Sequence, residues 1–331
     1  METVDKGLMA ELSAKTGAAW REGMPLSRYT AARIGGPADF LIETNTAKQL
    51  EEVVKFVWEH RVPFYLLGSG SNVLVSDNGL RGVVIINRAR GRGRYKFESR
   101  AKEAVVWAES GVNLGALARA AAEQGLSGLE WAAGIPGTVG GAVVNNAGAF
   151  DGDMQQCVVM VEILQRLEEE NRVESMRQRW TVSELDYSYR SSRLKKEFGQ
   201  AIVLSAWLKL KACPPEQVKQ KMEQFNLRRR VTQPPGASMG SMFKNPAGDY
   251  AGRLIEAAGL KGFQVGGVQI SPLHANFFIN HGQAKASDVW DLIQHTQQVV
   301  LERCGVKLEL EIQLLGDFSK DAQRTSHLER G

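Results

Sequence analysis

The segment Gly240–Pro246, with the sequence GSMFKNP, carries three different polar side chains within five positions. Ser241 supplies a hydroxyl, Lys244 an ammonium and Asn245 an amide, so the segment could bind an anionic or sugar group and handle a proton. The Gly-x-Ser-x-Gly turn that exposes the nucleophile of α/β-hydrolases does not surround Ser241. A hydrolase nucleophile is therefore not predicted here.

Arg190 and the pair Glu309 and Glu311 are further charged side chains that could do chemistry. A guanidinium is planar, stays charged and binds a carboxylate through two parallel hydrogen bonds, although a lone arginine can equally form a surface salt bridge. The two glutamates lie two residues apart in the alternating segment Val306–Leu314, so they share one face of a predicted strand. That face is either solvated or the wall of a cleft, where a carboxylate could act as an acid or base.

A first glycine loop, Leu67–Asn72 with the sequence LGSGSN, separates two strand-like runs. Glycines allow positive φ and close backbone approach, so successive N–H groups can form a concavity that suits phosphate. No Gly-Lys-Ser/Thr follows, which excludes a P-loop, and Val73 occupies the third glycine position of the Rossmann fingerprint. The alternative interpretation is a tight turn.

A second loop, Ala133–Ala142, contains four glycines and a proline within ten residues. Close packing of backbone on backbone would explain one or two of these glycines. Four of them at a predicted helix N-terminus favour an anion or a flat ring lying on the backbone. Together the two loops are a plausible cradle for a dinucleotide that is not bound in the Rossmann manner.

Composition excludes several classes of protein. The 331 residues are 43% hydrophobic and 24% charged, as in an ordinary globular protein of about two domains. No apolar run approaches the ~18 residues of a membrane helix, and the acidic residues Glu2, Asp5 and Glu11 argue against a secretory signal. We therefore expect no membrane partner.

Cysteine and histidine spacing argues against a disulfide framework and a metal site. The three cysteines form no CxxC motif and the five histidines form no HExxH motif. We therefore predict packed thiols in a reducing cytoplasm and no metal.

A basic run covers residues 88–102, where seven Lys and Arg residues face one Glu. Four arginines recur at every second residue from Arg88 to Arg94, which would place them on one face of an extended segment. A patch for a polyanion is one interpretation, and a solvated loop or strand edge is the favoured one. No nucleic-acid partner is predicted.

The elements that must position these residues are a mixture of strands and helices. We predict strands at 38–43, 63–67, 72–76, 83–87, 104–110, 158–165, 201–210, 275–280 and 306–314, and helices at 46–60, 114–124, 216–230, 250–258 and 287–304. This mixed order predicts two α+β lobes. The expected organisation is a helical lead-in at 1–26, a first region at 27–212 (subdomains 27–80 and 81–212), a second domain at 213–318 and a disordered tail at 319–331.

Seven motifs, in order, resemble those of the UDP-N-acetylenolpyruvoylglucosamine reductases, over about Ser27 to Gly316. They are Thr30–Ala38 (TAARIGGPA), Leu67–Asn72, Gly134–Gly141 (GIPGTVGG), Tyr189–Ser192 (YRSS), Gly240–Pro246, Ser271–Asn276 (SPLHAN) and Glu309–Glu311 (ELE). Each motif alone is moderately specific, and seven in the family's order are very specific. Only 51 positions separate Arg190 from Ser241, so the long insertion of some members is missing and the chain resembles the shorter subtype.

The resemblance implies an α+β fold, with an FAD-binding lobe of the vanillyl-alcohol-oxidase type followed by a smaller α+β substrate-binding domain. FAD would be bound by Arg33, by Gly68, Ser69, Gly70, Ser71 and Asn72 at the pyrophosphate, and by Gly134, Ile135, Pro136, Gly137, Gly140, Gly141 and Ala142 close to the flavin. NADPH would be the co-substrate.

The implied activity is reduction of the enolpyruvyl ether of UDP-N-acetylglucosamine enolpyruvate to UDP-N-acetylmuramate, a step of peptidoglycan synthesis. Reduced FAD would deliver hydride to the β-carbon, and the α-carbon would then be protonated. Arg190 would polarise the substrate carboxylate, Glu311 would help stabilise the enolic intermediate and Ser241 would donate the proton. Substrate-binding roles would fall to Tyr189, Arg190, Lys244, Asn245 and Arg228.

Two other functions are weighed against this one. A flavin oxidase or dehydrogenase for another small substrate would not need the Ser241 segment and Glu311. A nucleotide-binding regulatory protein would not need a proton donor. We therefore expect a cytoplasmic, monomeric enzyme whose partners are small molecules, a UDP-sugar and NADPH.

Overall fold

The computed structural model describes residues 4–90, 93–100, 103–169 and 172–318. The chain forms two compact units, each assembled from three stretches of sequence. The first unit comprises residues 1–22, 40–68 and 82–229, and the second comprises residues 23–39, 69–81 and 230–331. The tail predicted for 319–331 lies outside the described residues.

Helices and strands are mixed along the described ranges. The α-helices are α1 (Lys6–Thr16), α2 (Ala47–Glu59), α3 (Leu114–Glu123), α4 (Val139–Asn145), α5 (Met154–Cys157), α6 (Arg193–Lys196), α7 (Pro215–Thr232), α8 (Ala251–Ala257) and α9 (Ala286–Cys304). The strands are β1 (Trp20–Pro25), β2 (Pro37–Thr44), β3 (Phe64–Leu67), β4 (Val73–Val75), β5 (Leu80–Asn87), β6 (Tyr95–Arg100), β7 (Glu103–Glu109), β8 (Leu126–Ser127), β9 (Gly148–Ala149), β10 (Gly152–Asp153), β11 (Val158–Glu169), β12 (Arg172–Thr181), β13 (Ala201–Ala212), β14 (Gln264–Val265), β15 (Val268–Ile270), β16 (Phe278–Asn280) and β17 (Gln313–Leu315).

The larger sheet of the first unit has the strand order β12-β11-β13-β7-β6, and β8 also pairs with β13. Its neighbouring strands are antiparallel, with Trp207 of β13 opposite Trp107 of β7. The helices α3 and α4 contribute Leu117 and Val139 to the same buried core as this sheet. The second glycine loop runs into α4, which begins directly after Thr138, so the packing of α4 in this core also fixes the end of the loop.

Helix α2 shows how local sequence builds the other core of the first unit. The Thr46 side chain accepts a hydrogen bond from the Gln49 amide and so caps the helix. Leu50, Val53 and Val57 follow at helical spacing and are fully buried. The predicted capped helix is therefore confirmed, and its apolar face packs with β3 and β5, which pair in parallel.

A buried ion pair ties α2 to β12. Glu51 is only 6% exposed and accepts hydrogen bonds from Arg177, while Lys55 lies 2.8 Å from its other oxygen. Burial opposes ionisation of Glu51, but the hydrogen bonds from Arg177 and Lys55 outweigh it and lower the pKa of this carboxyl group. The pair therefore stabilises the fold only while Glu51 is ionised.

We expect Arg177→Ala to lower the free energy of unfolding at pH 7 by about 1–2 kcal/mol, discounted because Arg177 is half exposed. Since the folded pKa of Glu51 is lowered, the stabilisation is present above the ordinary value of 4.5 and is lost as the pH falls below it. Urea unfolding of both proteins at pH 7 and at pH 3–4 measures this. Lys48→Ala, which removes an exposed pair with Glu52, is the control. A difference in unfolding free energy between the wild type and Arg177→Ala that grew larger at pH 3–4 would contradict the lowered pKa of Glu51.

The second unit contains α8, α9, the antiparallel sheet β14-β15-β16 and the parallel pair β4–β17. Its core includes Met242 and Phe243, both fully buried, together with Leu254 of α8 and Leu292 of α9. The Asp77 carboxylate accepts hydrogen bonds from the first amides of α9, at 2.8 and 3.0 Å. Because Met242 and Phe243 belong to this core, the candidate segment around Ser241 is anchored in it.

The structure corrects the prediction of a continuous strand over Val306–Leu314. Only β17 belongs to a ladder, and upstream of it Leu310 forms one isolated bridge with Phe243. The alternation of apolar and polar residues in this segment still agrees with burial, because Leu308 and Ile312 are buried while Glu309 is exposed. No ladder extends over 306–312 because the neighbouring segment there is a loop.

The described part of the basic run is not a strand face. Arg88 and Arg90 follow β5 in irregular backbone, and Arg94 lies in the turn before β6, whereas Arg92 falls outside the described residues. Arg88 and Arg94 face the carboxylates of Glu43 at 3.6 Å and Glu109 at 3.2 Å. The prediction of one extended face is therefore wrong, and the favoured interpretation as a loop fits the described residues.

Candidate active site

The two glycine loops meet in the first unit at Gly68. A Cβ on Gly68 would lie 2.5 Å from Oγ1 of Thr138, the residue that caps α4. A side chain at position 68 would therefore push the loops apart. The sequence predicted that the two loops share one site, and Gly68 of the first loop lies against the Thr138 side chain of the second.

Gly70, in the second unit, packs against the first motif, Thr30–Ala38. Its φ is +59°, and a Cβ there would lie 2.2 Å from the Tyr29 carbonyl oxygen, so only glycine fits. The Gly70 carbonyl accepts a hydrogen bond from the Ala31 amide at 2.9 Å. Within the described ranges, no protein acceptor serves the backbone amides of Ser69 and Gly70. Those amides are what an anionic ligand of this loop would need.

The second loop provides fewer amides than its glycine count suggests. The amides of Val139, Gly140 and Gly141 at the start of α4 already donate to Val112, Ser110 and Thr138. Packing explains two of the glycines, because a Cβ on Gly134 would meet the Arg229 side chain at 2.6 Å and one on Gly140 would meet Ser110 at 2.8 Å. Gly141 is exposed. A ligand of this loop would therefore lie against its exposed residues, Gly134, Pro136 and Gly141, and not on the amides that begin α4.

Arg190 lies in the first unit beside other arginines. Its backbone has a φ of +56°, its guanidinium donates to the Gly148 carbonyl at 2.8 Å, and the Tyr189 ring lies 5.7 Å away. Burial, and then the charge of Arg190, lower the pKa of Arg229, which shows that two cations share this region. Such a pair favours a carboxylate or phosphate ligand.

Phe150, at the tip of the β9–β10 hairpin, organises the rest of this cationic cluster. The guanidinium groups of Arg228 and Arg229 lie 5.2 and 5.0 Å from its ring centre, and its ring stacks on Phe225 at 4.7 Å. The hairpin thus contacts α7 through its tip and receives the Arg190 hydrogen bond at Gly148. Arg228 was predicted from the sequence but Phe150 was not, because no local signal links an aromatic residue to arginines 78 and 79 positions away.

Ser241 and Glu311 are brought together in the second unit through one residue, Met242. The Met242 carbonyl accepts a hydrogen bond from the Glu311 amide at 2.9 Å. Ser241 is half-buried, and so is Glu311. The Asn72 side chain donates to the Glu311 carbonyl at 3.2 Å, so Asn72 of the first glycine loop also holds this segment. The predicted proton donor and the predicted carboxylate therefore lie in adjacent backbone segments.

The remaining polar residues of this motif have protein partners. Lys244 faces Glu309 at 3.3 Å, and its amide donates to the Glu309 carbonyl at 2.8 Å. The Asn245 side chain accepts from the Ala251 amide at the start of α8, at 3.1 Å. Glu309 is 73% exposed, which separates it clearly from the half-buried Glu311. The choice between the two carboxylates, open from periodicity alone, favours Glu311.

Arg33 lies at an open cleft in the second unit. The cleft has a volume of about 580 Å³ and is also lined by Asn280, His281 and the backbone around Gly236 and Gly282. Arg33 is exposed and has a φ of +56°. Its guanidinium can therefore receive an anionic group without first breaking a buried contact.

Other kinds of site receive no support from the described residues. They contain no group of His, Cys, Asp and Glu side chains that could hold a metal. None of their helices is long and apolar enough to span a membrane. The three cysteines are free thiols, and burial raises the pKa of Cys157 to about 11.

Comparison with known proteins identifies both parts of the chain. Residues 38–169 match the family described as FAD binding domain, and residues 232–315 match the C-terminal domain of UDP-N-acetylenolpyruvoylglucosamine reductase. These matches confirm the predicted α+β fold with an FAD-binding lobe before the substrate-binding domain, and the prediction of FAD itself.

Individual relatives extend this similarity over most of the chain. The UDP-N-acetylenolpyruvoylglucosamine reductase of Chloroflexus aggregans is 39% identical over 298 residues, 89% of this chain and 97% of that protein. Reductase 2 of Symbiobacterium thermophilum is 43% identical over 300 residues, 89% and 92% of the two chains. The crystal structure of the Thermus caldophilus reductase is 35% identical, with a TM-score of 0.71 over 90% of this chain and 99% of that one. This chain therefore belongs to the UDP-N-acetylenolpyruvoylglucosamine reductase family.

Proposed function

We propose that this chain is the FAD-dependent, NADPH-consuming reductase that converts UDP-N-acetylglucosamine enolpyruvate to UDP-N-acetylmuramate in peptidoglycan synthesis. The observation that supports the residue assignment is the backbone hydrogen bond between Met242 and Glu311, which joins the segments that carry the Ser241 hydroxyl and the Glu311 carboxylate. A protein that only bound a nucleotide would have no use for that arrangement. The match of residues 232–315 to the reductase C-terminal domain supports the same substrate.

The residues present fit FAD. The Ser69 and Gly70 amides, which have no protein acceptor among the described residues, would hold the pyrophosphate together with Gly68, Ser71 and Asn72. Gly134, Ile135, Pro136, Gly137, Gly140, Gly141 and Ala142 would lie close to the flavin, and Arg33 would bind an anionic part of the cofactor. When bound, FAD takes hydride from NADPH and passes it to the β-carbon of the enol ether.

Arg190 is the proposed ligand of the substrate carboxylate. Its bond to Gly148 fixes one end of the guanidinium, and the neighbouring Arg229 adds positive charge where the carboxylate gains negative charge. These charges are in place before the reaction, so they need not reorganise during it. Arg228, Tyr189, Lys244 and Asn245 are proposed to bind the diphosphate and sugar.

Ser241 is the proposed proton donor to the α-carbon. An unactivated hydroxyl is a weak acid, so it transfers a proton only to a strongly basic carbon beside it. Glu311, in the adjacent backbone segment, would stabilise the enolic form of the substrate and keep the hydroxyl oriented. Both roles require fixed geometry, which the hydrogen bonds of Met242 and Asn72 to the Glu311 segment supply.

We further propose that the chain works in the cytoplasm as a monomer. The free thiols Cys157, Cys213 and Cys304 fit a reducing compartment. Size-exclusion chromatography with light scattering tests the oligomeric state.

The visible spectrum of the purified protein, recorded without oxygen, tests the function. We expect a yellow protein that bleaches with NADPH and regains its colour when UDP-N-acetylglucosamine enolpyruvate is added. A protein that bleaches but stays reduced would favour a flavin oxidoreductase for another substrate. A colourless protein that cannot be loaded with FAD would contradict the flavoenzyme assignment.

A further inference from the structure

The motif Ser271–Asn276 has no role in the proposed reaction, yet its last residue contacts the Ser241 segment. Asn276 is 2% exposed. Its side-chain oxygen accepts from the Phe243 amide at 2.9 Å, and its side-chain nitrogen donates to the Phe243 carbonyl at 2.8 Å. One carboxamide thus satisfies both backbone groups of a single buried residue, as a neighbouring strand would.

The backbone around Asn276 continues this pairing toward Ser241. The Asn276 carbonyl accepts from the Met242 amide at 2.8 Å, and Phe277 forms an isolated antiparallel bridge with Ser241. Three consecutive residues, Ser241, Met242 and Phe243, are therefore held along one edge by Asn276 and Phe277. Their other edge faces the Glu309–Glu311 segment, through the Met242 carbonyl and the Phe243–Leu310 bridge.

An asparagine is needed here because the Ser241 segment is not part of a regular sheet. It forms only isolated bridges, so the ladder that normally fixes a strand's register is missing. Removing the carboxamide would leave the buried N–H and C=O groups of Phe243 without these partners, which is costly and favours a shift of the backbone. Such a shift would move the neighbouring Ser241 hydroxyl, and proton transfer is sensitive to small displacements.

We propose that Asn276 is a positioning residue for proton transfer, which holds the Ser241 hydroxyl in register with Glu311 without contacting substrate or cofactor. This inference rests on the proposed reductase function. It predicts that Asn276 acts on the oxidative half-reaction, in which substrate reoxidises the flavin, and acts there through Ser241. A merely structural role would lower stability and would not single out that step.

The test is a double-mutant cycle of Asn276→Ala and Ser241→Ala, with both half-reactions followed by stopped-flow absorbance. Asn276→Ala should slow reoxidation of reduced flavin by substrate by about 10–100-fold, mainly in the limiting rate, and leave reduction by NADPH within about twofold. When Asn276→Ala is added to the Ser241→Ala variant, reoxidation should slow further by less than about twofold. The effects of substitutions at residues that act as a unit are not additive.

Thr296→Ala is the matched control, because Thr296 is a fully buried residue of the same unit whose hydroxyl donates only within α9. It should lower Tm without separating the two half-reactions. Asn276→Asp is the second variant if Asn276→Ala does not fold, since it keeps the side-chain shape and the acceptor but loses the donor to Phe243. It should show the same selective loss.

The outcomes separate this inference from the function on which it rests. Wild-type reduced flavin that the substrate cannot reoxidise would overturn the proposed function and this inference together. A reactive wild type, combined with an Asn276 variant that reoxidises at the wild-type rate, would overturn the inference alone. Equal slowing in both Ser241 backgrounds would also overturn it, because Asn276 would then not act through the serine.

Discussion

Ser241→Ala is expected to leave reduction of the flavin by NADPH nearly unchanged and to slow its reoxidation by the enolpyruvyl substrate by about 10²–10⁴-fold. The range is the usual contribution of a positioned general acid. The selectivity follows from the chemistry, because NADPH delivers hydride without needing a proton at the substrate α-carbon. Substrate binding should change little, since the hydroxyl is one polar contact among several proposed ones.

Rapid-mixing absorbance separates the two half-reactions of the Ser241 variant. The flavin is first reduced with NADPH under anaerobic conditions, and its return to the oxidised spectrum is then timed after the substrate is added. Equal slowing of both half-reactions would show that Ser241 supports the cofactor and not the proton transfer. A variant with wild-type reoxidation would remove Ser241 from the mechanism.

Glu311→Gln should have the second largest effect, a loss of about 10²-fold or more in flavin reoxidation. The substitution keeps the side-chain size and removes the negative charge. Glu311 is half-buried, so its charge is less screened by water than that of the exposed Glu309, and its amide donates to Met242, next to Ser241. Reduction by NADPH should again be nearly unaffected.

Glu309→Gln is the matched control for Glu311, because the chemical change is the same two residues away. Glu309 is exposed and pairs with Lys244, and exposed pairs contribute little, so we expect a change within about threefold, mainly in substrate KM. A Glu309 variant as inactive as the Glu311 variant would show that the carboxylate was assigned wrongly. A fully active Glu311 variant would remove the carboxylate from the mechanism.

The parts of the fold that local sequence dictates were predictable. Helix α2 was found from Thr46 and the spacing of Leu50, Val53 and Val57, because a cap and a periodic apolar face act within a few residues. The glycine loops were found for a similar reason, since Gly70 must be glycine at its positive φ. The families matched by residues 38–169 and 232–315 confirm the cofactor and the fold class that the motifs implied.

The parts that depend on distant partners were not predictable. The alternation of Val306–Leu314 is that of a strand, but strand pairing needs a neighbour with free ladder groups, and only β17 has one. The role inferred for Asn276 depends on hydrogen bonds to a residue 33 positions away. Its only sequence signal was its place in a motif that no step of the chemistry used.

The parallel pairing of β4 with β17 has a consequence for the order in which the protein can mature on the ribosome. Asn72, which precedes β4, donates a side-chain hydrogen bond to the carbonyl of Glu311, and these two residues are 239 positions apart. At the usual ~5–20 residues per second, β4 emerges roughly 12–50 s before its partner strand is synthesised. The nascent chain must therefore protect an apolar strand from aggregation until translation reaches β17, the strand that pairs with it.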